Sequence, residues 1–130
     1  MNINQYIEHT NLKPTVTQAE IEQLCQEAIE HQFVGVCVPP YWVKKAKRDL
    51  KATNIAVVTV IGFPLGYNMS EVKAAEMRRA IADGADELDI VMNMTAFKSD
   101  SKGWAKVEVA QYAKIAHEAE KPIKMILETA

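Results

Sequence analysis

Glycine and proline are scarce in this chain, five residues of each, and they gather into no linker. No low-complexity tract interrupts the 130 residues, so a single domain, residues 1–130, is expected at ordinary domain size. Cysteine is scarcer still: Cys25 and Cys37 stand alone within apolar patterns. Their spacing matches no disulfide framework and no zinc or redox motif, and no His/Asp/Glu set has metal-ligand spacing. No metal is expected. Positive charge is not in excess, the formal net charge being −2, whereas a nucleic-acid binder usually carries a basic domain or stripe. The one basic run, Lys44, Lys45, Lys47, Arg48 and Lys51, reads as the solvated face of a helix. No apolar stretch approaches the ~18–20 residues of a membrane span. "MNINQYIEHT" lacks the basic start and apolar core of a signal peptide. A reduced, cytoplasmic protein with neither nucleic-acid nor membrane partner is the expectation.

What the chain has is alternation. After a short apolar segment, "YIEHT", the run Thr17-Gln18-Ala19-Glu20 forms a capping box. Ile21, Leu24, Cys25, Ala28 and Ile29 then follow on one helix face. "FVGVCV" (33–38) reads as a strand, and Pro40 opens a second helix, "PYWVKKAKRDLKAT". "IAVVTVIGF" (55–63) is apolar enough for a strand covered on both faces. Ser70 is expected to cap a third helix with Ala74, Met77 and Ile81 inward and Gly84 as its stop. "ELDIVMN" (87–93) is a fourth strand. A fourth helix places Val109, Tyr112, Ala113 and Ala116 on one side, and "IKMIL" (123–127) is the fifth strand.

This β-α order predicts parallel strands, about five, with four main helices. An open doubly wound sheet and part of a (β/α)8 barrel both fit. The doubly wound form wants a phosphate loop, and neither G-x-G-x-x-G nor a Walker-type loop is present. The Gly62–Gly66 loop, "GFPLG", is a weak phosphate signal by itself.

Two charges interrupt the strand cores: Asp89 between Leu88 and Ile90, and Lys124 between Ile123 and Met125. An unpaired charge there costs several kcal/mol. Strands four and five are neighbours in either architecture, so the two side chains are expected to face each other across ~4.8 Å. One reading is a buried ion pair that only satisfies itself. The other is chemical: proton transfer by a pair with shifted proton affinities, or a lysine amine attacking a carbonyl. Glu8, His9, Thr10 and Asn11 cluster where a barrel strand presents site residues. His9 is expected to be a hydrogen-bonded structural histidine, His31 and His117 to meet solvent, and Cys37 to pack.

"IEHTNLKP", "VGVCVPPYWV", "VIGFPLG", "GADELDIVMN" and "KMILETA" together resemble, in the same order, the deoxyribose-phosphate aldolase family, from Met1 to Ala130. The resemblance implies an incomplete TIM (β/α)8 barrel and a class I aldolase. Such an enzyme cleaves 2-deoxyribose 5-phosphate reversibly to glyceraldehyde 3-phosphate and acetaldehyde through a lysine Schiff base, with no metal or organic cofactor. It further implies that Asp89 matches the family's proton-relay aspartate and Lys124 the fifth-strand lysine beside it. Thr10, Leu12 and Cys37 match positions lining the sugar-phosphate and aldehyde pocket. Glu8 stands where the family usually has aspartate, and Asn11 replaces a usual leucine. The family's Schiff-base lysine, in a sixth-strand motif like "FVKTSTG", its second catalytic lysine and its main phosphate loops have no counterpart in these residues. The chain is therefore expected to be an N-terminal portion, strands one to five, inactive alone.

A closed barrel has no edges, whereas five strands are expected to leave two, with the inner face partly uncovered. Burial of such a face drives association at ~25 cal/mol/Å², so a homodimer or higher homo-oligomer through the open face or the sheet edges is expected. A non-catalytic, self-associating half-barrel is the alternative function.

Overall fold

Thr17 does what its sequence context predicts. Its hydroxyl oxygen accepts from the Glu20 N–H at 3.3 Å, and Glu20 Oε2 accepts from the Thr17 N–H at 2.7 Å. Glu20 N–H, one of the helix's orphan first-turn donors, is thereby satisfied, along with the N–H of the capping residue itself. Helix α1 runs Gln18–His31 in the computed structural model, which describes residues 1–99 and 102–129, the Lys102 side chain excepted. Ala130, which ends the "KMILETA" motif, lies outside the described residues. Ile21, Leu24, Cys25 and Ala28 are buried as expected, while Ile29 falls at the margin of the face, 39% exposed. Thr17→Ala is expected to cost about 1 kcal/mol, read as a lower urea midpoint at unchanged slope.

The other helices are α2 Val43–Asp49, α3 Ser70–Asp83, α4 Met94–Lys98 and α5 Lys102–Glu118, with 3-10 turns at Ile3–Tyr6 and Pro40–Trp42. Three sequence expectations need correction. α2 stops at Asp49, short of Thr53, because the Thr53 side chain makes a turn of its own. It donates to Leu50 O at 2.8 Å and accepts from Ile55 N–H at 3.1 Å. Ser70 does not cap α3: it is the first helical residue, and Met69, in the cap position, offers no side-chain acceptor. On α5, Tyr112 and Ala116 are buried, but Val109 is 38% exposed and Glu108 takes the inward place. The short α4 was not foreseen; Asn93 caps it by accepting from Ala96 N–H at 3.1 Å. Gly84 ends α3 at φ 105, as expected.

Strands β1 Glu8–Thr10, β2 Gly35–Val38, β3 Ala56–Ile61, β4 Glu87–Val91 and β5 Ile123–Ile126 form one sheet in the order β1-β2-β3-β4-β5. Every pairing is parallel. Strand side chains alternate between faces. Val36, Val38, Val57, Ile61, Leu88 and Ile90 point into the large core shared with the helices. Cys37, Val58 and Val60 form a second cluster on the other face, with Leu12 against it. Four strand spacings put β1 about 19 Å from β5 in a flat sheet, yet Lys124 Nζ of β5 touches Glu8 Oε1 of β1 at 2.6 Å. The sheet is therefore strongly curved, and the cluster lies on its concave side: five consecutive strands of a (β/α)8 barrel.

The inner face is partly uncovered, at Thr10 and at Lys124, whose side chain is 49% exposed, but its apolar centre is closed. Cys37, Val58, Val60 and Val91 are all under 5% exposed. Among the described residues, β1 and β5 do remain edges, each paired on one side.

Candidate functional site

The concave face gathers Glu8, Glu87, Asp89 and Lys124. Asp89 pairs in register with Lys124, and Glu8 with Gly35. A side chain at Gly35 would crowd Ala56 O at 3.1 Å and touch Glu8 Cγ at an ordinary contact distance of 3.6 Å, so Glu8 packs closely over the β2 backbone. Lys124 Nζ lies 2.6 Å from Glu8 Oε1, 3.5 Å from Asp89 Oδ1 and 3.6 Å from Glu87 Oε2. The expected Asp89–Lys124 neighbours are thus adjacent, but the short contact of the lysine is to Glu8. Lys124 is also less buried than its sequence context implies, its side chain 49% exposed against 17% for Asp89. It rises from β5 into the open side of the curve, where no strand among the described residues covers it.

Burial is the largest influence on both groups. It pushes the Asp89 carboxyl above its usual range, with the field of Glu8 adding and that of Lys124 opposing. For Lys124 burial alone would lower the value, but the hydrogen bond to Glu8 and the fields of Asp89, Glu8 and Glu87 outweigh it, so the ammonium is held more firmly than usual. Asp89 Oδ1 is buried and has no hydrogen-bond partner among the described residues. Because Asp89 binds its proton more tightly folded than unfolded, it favours folding below its ordinary value of 3.8 and loses that contribution as pH rises. Asp89→Asn, which does not titrate, is therefore expected to gain stability relative to the parent as pH rises above 3.8, the difference levelling off below that value. Paired urea titrations across pH check this. Lys124, shifted upward, has the same form at the alkaline end: its contribution is lost as pH rises past 10.5.

Thr10, Leu12 and Cys37 collect on the β1–β3 side of the face. Thr10 pairs with Cys37 in register and donates its hydroxyl to Glu8 O at 3.0 Å. Cys37 is buried, and that burial pushes its thiol up to about 12, so it packs rather than reacts. Leu12 lines a cleft of about 300 Å³ with Pro14, Pro39, Val60, Phe63 and Glu76. Asp89 and Lys124 do not line that cleft; Lys124 reaches the β1 side by way of Glu8.

His9 points to the opposite face, where Nε2 meets Glu27 of α1 at 2.7 Å. His31 and His117 are exposed. Asn11 shapes the turn after β1: its N–H bonds Cys37 O at 3.1 Å and its Oδ1 accepts from Lys13 N–H at 3.2 Å. Sequence reasoning missed Glu87, whose i, i+2 relation to Asp89 was the available signal. It also missed Glu8 as the partner of Lys124, a contact between residues 116 positions apart. The three carboxylates converge on the ammonium. No group of three or more His, Cys, Asp or Glu side chains suited to a metal ion occurs among the described residues, and no helix among them is long and apolar enough to cross a membrane.

Comparison with known proteins adds an independent line. A family model described as DeoC/LacD family aldolase matches residues 3–130. A protein of Brevibacillus brevis named deoxyribose-phosphate aldolase is 50% identical over 129 residues, covering 99% of this chain and 58% of the relative. One of Thermococcus gammatolerans with the same name is 48% identical over 131 residues, with 99% and 58% coverage. A solved structure titled QR15, an aldolase, superposes with a TM-score of 0.91 at 38% identity, covering 98% of this chain and 56% of that one. A deoxyribose phosphate aldolase from Aeropyrum pernix, whose title describes a tetramer, gives 0.88 at 28% identity, with 97% and 52% coverage. The chain spans about 58% of the length of the curated relatives it matches.

Proposed function

The chain belongs to the DeoC/LacD aldolase family, and from that premise we propose that residues 1–130 supply one wall of a site for the reversible aldol cleavage of 2-deoxyribose 5-phosphate to glyceraldehyde 3-phosphate and acetaldehyde. The observation that carries this reading is the pairing of Asp89 and Lys124 on adjacent strands of the concave face. Asp89 is the proton-transfer group: its carboxyl is raised by burial, and its buried Oδ1 lies 3.5 Å from the Lys124 ammonium. Lys124 is its electrostatic partner. Thr10, Leu12 and Cys37 shape the pocket wall.

A Schiff base requires an unprotonated amine. Lys124 is the only lysine within a strand among the described residues, and its three carboxylate neighbours hold it as ammonium. Lys124 is therefore not the nucleophile of this proposal, and residues 1–130 by themselves turn over little or no substrate. The test is an aldol-cleavage assay on the 130-residue chain, alone and mixed with a polypeptide matching the remaining part of the relatives. Each sample is also trapped with acetaldehyde and borohydride. Cleavage in the mixture with no adduct on Lys124 is expected. An adduct on Lys124 would overturn its assigned role, and no cleavage in either sample would overturn the aldolase reading.

The two sheet edges favour a further proposal, that the chain self-associates as a homodimer or higher oligomer. Light scattering that showed a monomer persisting at high concentration would exclude it.

A further inference from the structure

Lys73 lies near the start of α3, yet its side chain is fully buried. Its ammonium donates to Val91 O at 2.9 Å and lies 3.7 Å from Glu108 Oε1 of α5. Tyr112 O–H donates to that same carboxylate oxygen at 2.8 Å. The methylenes of Lys73 run along Gly62, where a side chain would sit 2.9 Å from Lys73 Cε. Glu76, one turn further along α3, accepts from Gly62 N–H at 2.9 Å. α3 therefore grips the start of the Gly62–Gly66 loop at two points. The far end of that loop, Gly66, presses on Val91 and Met92. Val91 is the next residue after Asp89 on the concave face of β4.

Burying an ammonium is costly, and an apolar side chain would fill the same space without that cost. What a lysine adds is reach: from a helix outside the sheet it holds the carbonyl at the end of β4. We propose that Lys73 is a positioning residue, tying α3 to the end of β4 and clamping the Gly62–Gly66 loop over it, so that Asp89 and the rim above it keep their places. The inference rests on the reading of Asp89 as a group of the proposed site.

The test uses the 130-residue chain with Lys73→Met/Glu108→Gln, which removes both charges and leaves Tyr112 an acceptor. Two readouts are followed by NMR: amide exchange at Gly62, Gly66 and Met92, and the titration of the Asp89 carboxyl. The expected result is exchange faster by on the order of tenfold at those amides. Alongside it, the Asp89 midpoint should fall toward the ordinary aspartate value as water gains access. Glu8, Glu87 and Lys124, which face Asp89, are unchanged in the variant. A folded variant in which the exchange and the Asp89 midpoint both match the parent overturns the proposal, since packing alone would then explain Lys73. Lys73→Gln/Glu108→Gln serves if the first variant does not fold. Failure of both to fold would assign Lys73 to core stability and also overturn it. Neither readout needs turnover, so this inference and the aldolase reading fail separately.

Discussion

Glu108→Leu is expected to destabilise the protein by about 3–5 kcal/mol, the cost of breaking a buried ion pair by removing one partner. Glu108 is 1% exposed and Lys73 fully buried, so water cannot replace the lost carboxylate. Burial already pushes the Lys73 ammonium below its usual proton affinity, with Glu108 as the main opposing influence. Removing Glu108 also strands the Tyr112 hydroxyl, whose acceptor it is. Replacing the whole cluster by Lys73→Met/Glu108→Leu/Tyr112→Phe should recover most of the loss, because a buried pair is commonly no better than apolar residues of similar volume. Val91 O, left without the donor that Lys73 provides, keeps the recovery from being complete. The same comparison tests a pH effect. Lys73 binds its proton less tightly folded than unfolded, so the parent gains stability as pH rises toward 10.5, and the triple variant lacks that slope. Urea unfolding of parent, single and triple variants decides it: a single variant within about 1 kcal/mol of the parent, the error of such comparisons, would refute the ion pair as a structural anchor.

Gly66→Ala comes next in size, at about 2–5 kcal/mol. Gly66 has φ 72, a left-handed conformation that costs a non-glycine residue about 1–2 kcal/mol. A Cβ there would also overlap Met92 O and sit 2.7 Å from Val91 Cγ1 and 3.0 Å from Val91 O. Two of those neighbours are backbone atoms at the end of β4, so relief requires the loop or the strand to move, an overpacking cost of about 1–3 kcal/mol. Gly84→Ala is the control. Its φ is also positive, at 105, but the added carbon meets only the Lys47 side chain, Cγ at 2.8 Å, so relief there shifts a side chain, at the expense of its bonds to Asp86, and no backbone. The ordering Gly66→Ala below Gly84→Ala in stability is the expected result; equal losses would show that backbone strain alone, without the β4 contact, sets the cost.

The elements most legible in the sequence were those whose signals are local. The Thr17–Glu20 box, the Gly84 stop and the β-branched runs that became β2 and β3 each reside within a few residues, and each formed as read. The reading failed where a side chain made a competing local turn, or where a partner on another helix decided. Thr53 made a turn that shortened α2, and the Val109 face of α5 gave way because Lys73 reaches in from α3 and draws Glu108 inward. An amphipathic pattern ranks residues by polarity, and a charged residue made inward by a partner on another helix carries no local mark.

The amino-acid order by itself determined the β-α alternation, the parallel strands and the adjacency of Asp89 and Lys124, because strand period and crossover rules act along the chain. Tertiary structure alone decided that Lys124 crosses the curved sheet to Glu8, that the apolar concave centre is already buried, and that Lys73 anchors the end of β4. The physical reason is curvature together with desolvation. Which charges meet depends on how far the sheet bends and which helix packs behind it, and both are set by the summed packing of residues far apart in the chain.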